Sequence, residues 1–146
     1  MVTDRPFSKK SPPIAFGTSD ATYQALGGLE GIQQLVYDFY RAMETLPEAK
    51  HIRAMHSADL AESARKLVYF LSDWTGGPKL YAKHYGSISI PLAHRHLSAT
   101  ESDRDAWLMC MKHALASQSY SVELQAYLLK QLAVPAQRIV DVAQSK

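Results

Sequence analysis

Apolar residues that recur every three or four positions are the feature of this sequence that most restricts its fold. In the clearest run they lie along one face of a helix: Ile32, Leu35, Val36, Phe39, Tyr40, Met43 and Leu46. Pro47 ends this helix because its ring cannot continue the backbone hydrogen bonding. Three glycines precede the run and predict a corner after a short first helix at residues 20–26: Gly27, Gly28 and Gly31.

The same periodicity predicts three further helices. One covers residues 60–74 and ends at Gly76, Gly77 and Pro78. Another starts at a cap on Ser102 or Asp103 and carries the inward-facing residues Arg104, Trp107, Leu108, Met111, Ala114 and Leu115. The last covers residues 122–132, with a continuation past Pro135 left open.

Residues 78–100 lack clear periodicity, and we expect a long, mostly irregular segment there. It contains three histidines: His84, His94 and His96. Loops of this length inside a helical protein are often functional. Since no alternating strand pattern is present, the predicted fold class is all-α.

Composition limits the function classes. A chain of 146 residues predicts one domain, which we place at residues 21–146 behind an N-terminal extension at 1–20. With 16 basic and 14 acidic residues, the charge of +2 does not favour nucleic-acid binding. No apolar stretch is long enough to predict a membrane span, and without a secretory signal pattern we expect a cytoplasmic protein.

Cysteine usage directs the search for metal chemistry to histidine. The single cysteine, Cys110, excludes an internal disulfide, a multi-cysteine zinc site and covalent CxxCH haem attachment. His94 and His96 alone are weak evidence for a non-haem metal, since neither a carboxylate pair nor a cysteine accompanies them. A haem iron, by contrast, needs one firm imidazole ligand and a dry pocket.

Two aromatic residues can supply polar hydrogens to such a pocket. Tyr40 carries an O–H and Trp107 an indole N–H, and both lie on the inward stripes of their helices. Aromatic residues in these positions are also ordinary in a helical core. The residues alone therefore leave both interpretations open.

The order of several motifs resembles the group II truncated haemoglobins. It begins with Phe39-Tyr40, Met55-His56 and Asp59-Leu60, and continues with Gly76-Gly77-Pro78, Tyr81, Gly86, Arg95-His96 and the run from Arg104 to Leu108. The resemblance covers about residues 21–118. It implies a two-over-two helical sandwich around a non-covalently held haem b.

The resemblance also implies roles for individual residues. His96 would be the proximal iron ligand, and Tyr40, His56 and Trp107 the polar groups on the distal side, where a ligand binds. Arg95 and Lys66 correspond to positions near the haem propionates. The full set of expected cofactor contacts is His96, Phe39, Ser63, Lys66, Leu67, Phe70, Tyr81, Arg95, Trp107 and Met111.

The implied function is the binding of O₂ and other small ligands such as CO, NO or peroxide at a five-coordinate haem. Two donors, Trp107 and either Tyr40 or His56, would slow O₂ release by roughly two to four powers of ten. Such retention also suits a redox enzyme, a nitric oxide dioxygenase or a peroxidase. We find no flavin or nicotinamide domain in the sequence, so a separate reductase would have to supply the electrons. The alternative of another class is a haem-free helical interaction module.

Overall fold

The computed structural model describes residues 16–86 and 97–144, and within them every regular element is a helix. The helices are α1 (Ala21–Ala25), α2 (Gly28–Thr45), α3 (Lys50–Ala54), α4 (Ala61–Trp74), α5 (Leu80–Tyr85), α6 (Glu101–Ala116) and α7 (Val122–Gln144), with a 3₁₀ turn at Pro47–Ala49. The all-α prediction is confirmed. No helix in the described ranges is long and apolar enough to cross a membrane.

Helices α2 and α6 form the centre of the fold. Helix α2 packs against both α6 and α4, and α6 packs in addition against α7. The apolar stripe predicted for α2 is fully buried at Ile32, Phe39 and Met43, where each side chain is at most 1% exposed. This arrangement of two helix pairs is the predicted two-over-two sandwich.

Close backbone packing shapes the corner between α1 and α2. Gly27 adopts a φ of +95°, in the left-handed region that favours glycine. At Gly31 a side chain is excluded, because a Cβ atom would lie 1.9 Å from the carbonyl oxygen of Leu26. The glycine-rich corner predicted from the sequence is therefore present.

Several helix boundaries differ from the prediction. Residues 80–85, expected to be irregular, form α5, whose first-turn amides at Tyr81 and Ala82 donate to the Asp73 carboxylate. Helix α3 was not predicted, because its five residues are too short to show periodicity. The last helix runs through Pro135 to Gln144.

The cap of α6 also corrects the prediction. Thr100 is the N-cap, not Ser102 or Asp103. Its Oγ1 accepts the Asp103 N–H at 3.2 Å, while the Asp103 carboxylate accepts the Thr100 N–H at 2.9 Å. Asp103 is thus the third residue of the helix and forms a reciprocal capping box with Thr100. Its residue type suggested the N-cap itself, but it is the partner of the N-cap.

The segment before α1 contacts the helical domain at its described end. The Phe16 ring packs on Tyr127 of α7 with ring centroids 5.3 Å apart, and the Gly17 N–H donates to Thr22 Oγ1 at 2.9 Å. Residues 16–20, which the sequence prediction assigned to the extension, are thus next to the core. Residues 1–15 lie outside the described residues.

Candidate functional site

A cavity of about 430 Å³ lies between α2, α3, α4, α6 and α7. Most of its wall is apolar, with a few polar groups from different helices. The described residues that line it are Tyr40, Ile52, Met55, His56, Ser57, Ser63, Lys66, Leu67, Phe70, Tyr81, Leu97, Ala99, Asp103, Arg104, Trp107, Leu132, Pro135, Ala136, Ile139 and Val140. An apolar cavity with a few polar groups is typical of a site for a small molecule or cofactor.

The rings of Tyr40 and Trp107 are held in place by Phe39. Phe39 is fully buried, and its ring centroid lies 5.0 Å from that of Tyr40 and 5.0 Å from that of Trp107. These contacts join α2 to α6 and limit the rotation of both rings. Phe39 itself does not line the cavity, so it supports this wall from behind.

The polar atoms of these two side chains have no hydrogen-bond partner among the described residues. Tyr40 is 9% exposed, yet its hydroxyl forms no hydrogen bond with the described residues, and neither does the Trp107 indole N–H. Burial raises the pKa of the Tyr40 phenol, which therefore keeps its hydrogen across the physiological range. Since buried polar groups in native proteins are almost always satisfied, this wall is suited to a polar ligand.

The third predicted distal residue, His56, has a different role. Its Nδ1 lies 2.8 Å from the Ile52 carbonyl oxygen, which can only accept, so Nδ1 carries the hydrogen. In the neutral ring Nε2 is then an acceptor. The His56 ring meets the Tyr40 ring edge-on with centroids 5.9 Å apart. A neutral His56 ring therefore has no N–H left to donate into the cavity, and the expected part of His56 on the distal side stays a prediction.

Helices α4 and α5 form another part of the wall. Ser63, Lys66, Leu67 and Phe70 from α4 and Tyr81 from α5 all line the cavity, as the sequence predicted for cofactor contacts. Their spacing of three or four residues places the α4 side chains along one face of the helix. The Lys66 ammonium lies 5.4 Å from the centre of the Tyr85 ring.

The start of α6 adds two charged residues that sequence reasoning did not assign to the site. Asp103 is 6% exposed, and its Oδ1 accepts from His51 Nδ1 at 2.6 Å. Burial alone would raise the pKa of Asp103, but the hydrogen bonds from His51 and Thr100 and the His51 charge lower it overall. Arg104 donates to Asp105 and to Gln137 of α7.

Some of these residues left a signal in the sequence and others did not. The spacing Thr100-x-x-Asp103 is a capping-box pattern, which indicates that Asp103 faces its own helix start. Pro135, Ala136, Ile139 and Val140 line the cavity only because α7 continues past Pro135. The sequence alone did not settle that continuation.

Two predicted cofactor contacts do not line the cavity. Phe39 packs behind Tyr40 and Trp107, as described above, and Met111 is completely buried in the core one turn further along α6. Helical periodicity predicts that both residues are buried but does not distinguish the core from the cavity wall.

The predicted iron ligand and its neighbours lie outside the described residues. These are His94, Arg95 and His96. Leu97, which directly follows His96 in the chain, lines the cavity, and so does Ala99. Among the described residues, no three His, Cys, Asp or Glu side chains form a group that could hold a metal ion.

The described wall fits a haem on two counts. It is largely apolar, as a porphyrin requires. It also includes the Tyr40 hydroxyl and the Trp107 N–H, which have no partner among the described residues and could donate to a bound ligand. Lys66 and Arg104 are the lining residues with a full positive charge and can meet carboxylates.

Comparison with known proteins decides the family. The family model of the bacterial-like globins matches residues 21–140. The chain belongs to this family. Its match covers all seven helices except the last residues of α7, so it includes every described part of the cavity wall.

The relatives place this globin in group II of the truncated haemoglobins. It is 34% identical over 122 residues to a group 2 truncated haemoglobin of Bacillus subtilis, covering 84% of this chain and 89% of that protein. The group II 2-on-2 haemoglobin of Agrobacterium tumefaciens has a similar structure, with a TM-score of 0.78 at 28% identity over 89% of this chain and 97% of that one. A truncated oxygen-avid haemoglobin of Bacillus subtilis gives a TM-score of 0.73 at 34% identity, covering 82% and 98%.

These findings confirm the resemblance drawn from the motifs and the truncated globin fold. They make the chain a haem-binding globin. The alternative of a haem-free helical interaction module is therefore not supported.

Proposed function

We propose that this globin holds haem b with His96 as its iron ligand and binds O₂ on the side of Tyr40 and Trp107. The observation that carries the proposal is that the Tyr40 hydroxyl and the Trp107 N–H belong to residues lining one largely apolar cavity and have no partner among the described residues. When bound, haem supplies an iron with one open position for a small diatomic ligand.

His96 is proposed as the ligand from its place in the sequence. It directly precedes the cavity-lining Leu97, and the Arg95-His96 pair matches the group II pattern. Lys66 and Arg95 are proposed to face the propionates. Because Lys66 is exposed and already contacts the Tyr85 ring, its contribution to haem affinity is expected to be small.

Tyr40 and Trp107 are proposed to hold the ligand. A diatomic ligand that gains partial negative charge accepts hydrogen bonds worth about 1.5–3 kcal/mol each. Each donor would slow O₂ release by roughly one to two powers of ten. The packing of both rings on Phe39 keeps the donors aligned before the ligand arrives.

His56 is proposed to orient Tyr40. With Nδ1 bonded to the Ile52 carbonyl, the neutral ring offers an acceptor at Nε2, the other ring nitrogen. Accepting the Tyr40 hydrogen would compete with donation to the ligand. His56 therefore tunes the strength of the Tyr40 hydrogen bond, while Trp107 remains the donor without a competing acceptor.

Slow release favours a second function, a redox reaction on the retained ligand. Nitric oxide dioxygenation and peroxide reduction both need the ligand to remain until the second reactant arrives. Turnover of nitric oxide with an added reductase, or of hydrogen peroxide with a small reductant, tests this function separately from O₂ binding. The similarity to the oxygen-avid truncated haemoglobin of Bacillus subtilis supports the retention of O₂.

The O₂ dissociation rate tests the main proposal. We expect Trp107→Phe to release O₂ at least about tenfold faster in stopped-flow displacement by CO, because one donor is lost. The matched control is Trp74→Phe, which removes the other tryptophan of the chain from a position outside the cavity wall. Equal rates in the wild type and in Trp107→Phe would contradict the proposed role of Trp107.

A further inference from the structure

A cluster of aromatic rings lies at the outer edge of the cavity, between α4 and α5. We call Tyr69, Tyr81, His84 and Tyr85 the edge cluster. Tyr81 and Tyr85 have ring centroids 4.9 Å apart, Tyr69 stacks on His84 at 4.9 Å, and Tyr69 lies 6.3 Å from Tyr85. Neither the O₂ site nor the core of the fold requires these contacts.

Two of these rings connect the cavity with the surface. Tyr81 lines the cavity, and Tyr85, its neighbour one turn later, is 37% exposed. The backbone of this turn is fixed because the Tyr81 and Ala82 amides donate to the two Asp73 carboxylate oxygens at 3.1 and 3.0 Å. A short, ordered pair of phenol rings therefore spans the wall.

The Tyr85 hydroxyl has a proton acceptor and a donor in place. It donates to Glu62 Oε2 at 2.9 Å and accepts from Arg65 Nε at 3.2 Å, and Arg65 is also ion-paired with Glu62. A carboxylate at this distance can take the phenolic hydrogen as a base. Since Arg65 and Lys66 both place positive charge beside Tyr85, losing the proton together with an electron avoids a positively charged ring.

A second exposed tyrosine shows that this arrangement is not general. Tyr37 is 58% exposed and has an arginine partner, Arg41, at 3.4 Å. Its hydroxyl donates to no carboxylate within the described residues, and it does not line the cavity. Tyr37 is therefore a matched control.

We propose that Tyr85 is an electron-donor site through which small phenolic reductants are oxidised at the surface of this globin. The inference rests on the proposed haem function. With hydrogen peroxide as oxidant, Tyr85 is oxidised twice in succession, and each time it gives one electron through Tyr81 and one proton through Glu62. The sum is H₂O₂ + 2 TyrOH → 2 H₂O + 2 TyrO•, in which both TyrOH stand for Tyr85. Each neutral radical then takes a hydrogen atom from a phenol outside the protein, which restores Tyr85 and leaves a phenoxyl radical.

The experiment adds hydrogen peroxide to the full-length, hemin-loaded ferric protein in the presence of a nitroso spin trap. Peptide mass spectrometry then locates the adduct. We expect the adduct on Tyr85 in the wild type and in Tyr37→Phe, its loss in Tyr85→Phe and a reduced yield in Glu62→Gln. Freeze-quenched electron paramagnetic resonance should show a tyrosyl radical signal that decreases in the same two variants.

A second readout separates this inference from the proposed haem function. The first reaction with peroxide, followed at the Soret band, should be unchanged in Tyr85→Phe and Glu62→Gln, while the oxidation of an added small phenol slows in both. An adduct on another tyrosine, or phenol oxidation unchanged in Tyr85→Phe, would overturn the inference and leave haem binding intact. A chain with no Soret band after hemin is supplied would overturn both.

Discussion

The polar groups of Tyr40 and Trp107 differ from that of Tyr85 in their hydrogen bonding. On the distal wall, Tyr40 and Trp107 are packed on a buried ring, and neither polar hydrogen has a partner in the described protein. In the edge cluster, Tyr85 is exposed and its hydroxyl both donates and accepts.

This difference in hydrogen bonding favours different functions for the two sets of residues. Among the described residues the Tyr40 hydroxyl and the Trp107 N–H have no acceptor, so both are available to donate to a bound ligand. The Tyr85 hydroxyl has both of its partners without a ligand, and its acceptor is a carboxylate that can take a proton. We therefore propose ligand binding at Tyr40 and Trp107 and electron transfer at Tyr85, on separate sets of side chains.

The largest expected effect comes from removing both distal donors. Tyr40→Phe combined with Trp107→Phe should speed O₂ dissociation by about two to four powers of ten, because two hydrogen bonds to a partly negative ligand are lost. Tyr85→Phe should leave that rate unchanged. Stopped-flow displacement of O₂ by CO measures both, and a Tyr85→Phe effect as large as the distal one would remove the distinction between the two sides.

The folding stability of the buried core should also respond to alkaline pH, through Cys110 of α6. Burial raises the pKa of the Cys110 thiol to about 11 from the ordinary value of 9.0. The unfolded chain therefore loses this proton first, so stability is fully present below pH 9 and declines between pH 9 and 11 at roughly 1.4 kcal/mol per pH unit.

Urea unfolding at several pH values checks this expectation with Cys110→Ala as the variant. Its free energy of unfolding should change less than that of the wild type between pH 9 and 11. Parallel curves for the two proteins would show that the thiol is not the group responsible. Burial also raises the pKa of Tyr40, so Tyr40 contributes a further loss of folding stability once the pH exceeds the ordinary pKa of tyrosine.

Asp103, at the start of α6, is a polar residue that is both buried and hydrogen-bonded. Asp103→Ala removes the capping-box acceptor of Thr100 and the partner of His51, and should lower the free energy of unfolding by about 1–2 kcal/mol at neutral pH. The exposed neighbour Asp105 provides the control, since Asp105→Ala should cost less than about 0.5 kcal/mol.

The pH dependence of this effect has a definite sign. Because the pKa of Asp103 is lowered in the folded protein, its contribution is present above the ordinary carboxyl pKa and is lost as the pH falls below it. Urea unfolding of the wild type and of Asp103→Ala should therefore give converging stabilities in acid. A constant difference down to low pH would mean that the carboxylate charge is not involved.

Much of the fold could be predicted because it depends on local patterns. The apolar stripe of α2, the glycine corner at Gly27 and Gly31 and the helix end near Gly76 all follow from periodicity and backbone restrictions. Helix α5 was missed because its six residues show no periodicity, and it is held by Asp73, a residue from the preceding helix.

The site was predicted less completely for a physical reason. Helix face predicted that Tyr40 and Trp107 point inward and the family resemblance added His56, and all three line one cavity. Neither argument revealed that the Ile52 carbonyl fixes the hydrogen on His56. Nor could periodicity separate Phe39 and Met111, buried behind the wall, from the residues that line it. Such distinctions depend on side-chain packing between helices.

Titration of the purified full-length chain with hemin tests the central claim most directly. The account predicts a Soret band that saturates at one hemin per chain, is weakened and shifted in His96→Ala, and is retained in His94→Ala, which removes the histidine two positions earlier. A wild type that stays colourless with hemin in excess, or a His96→Ala variant with an unaltered spectrum, would contradict it.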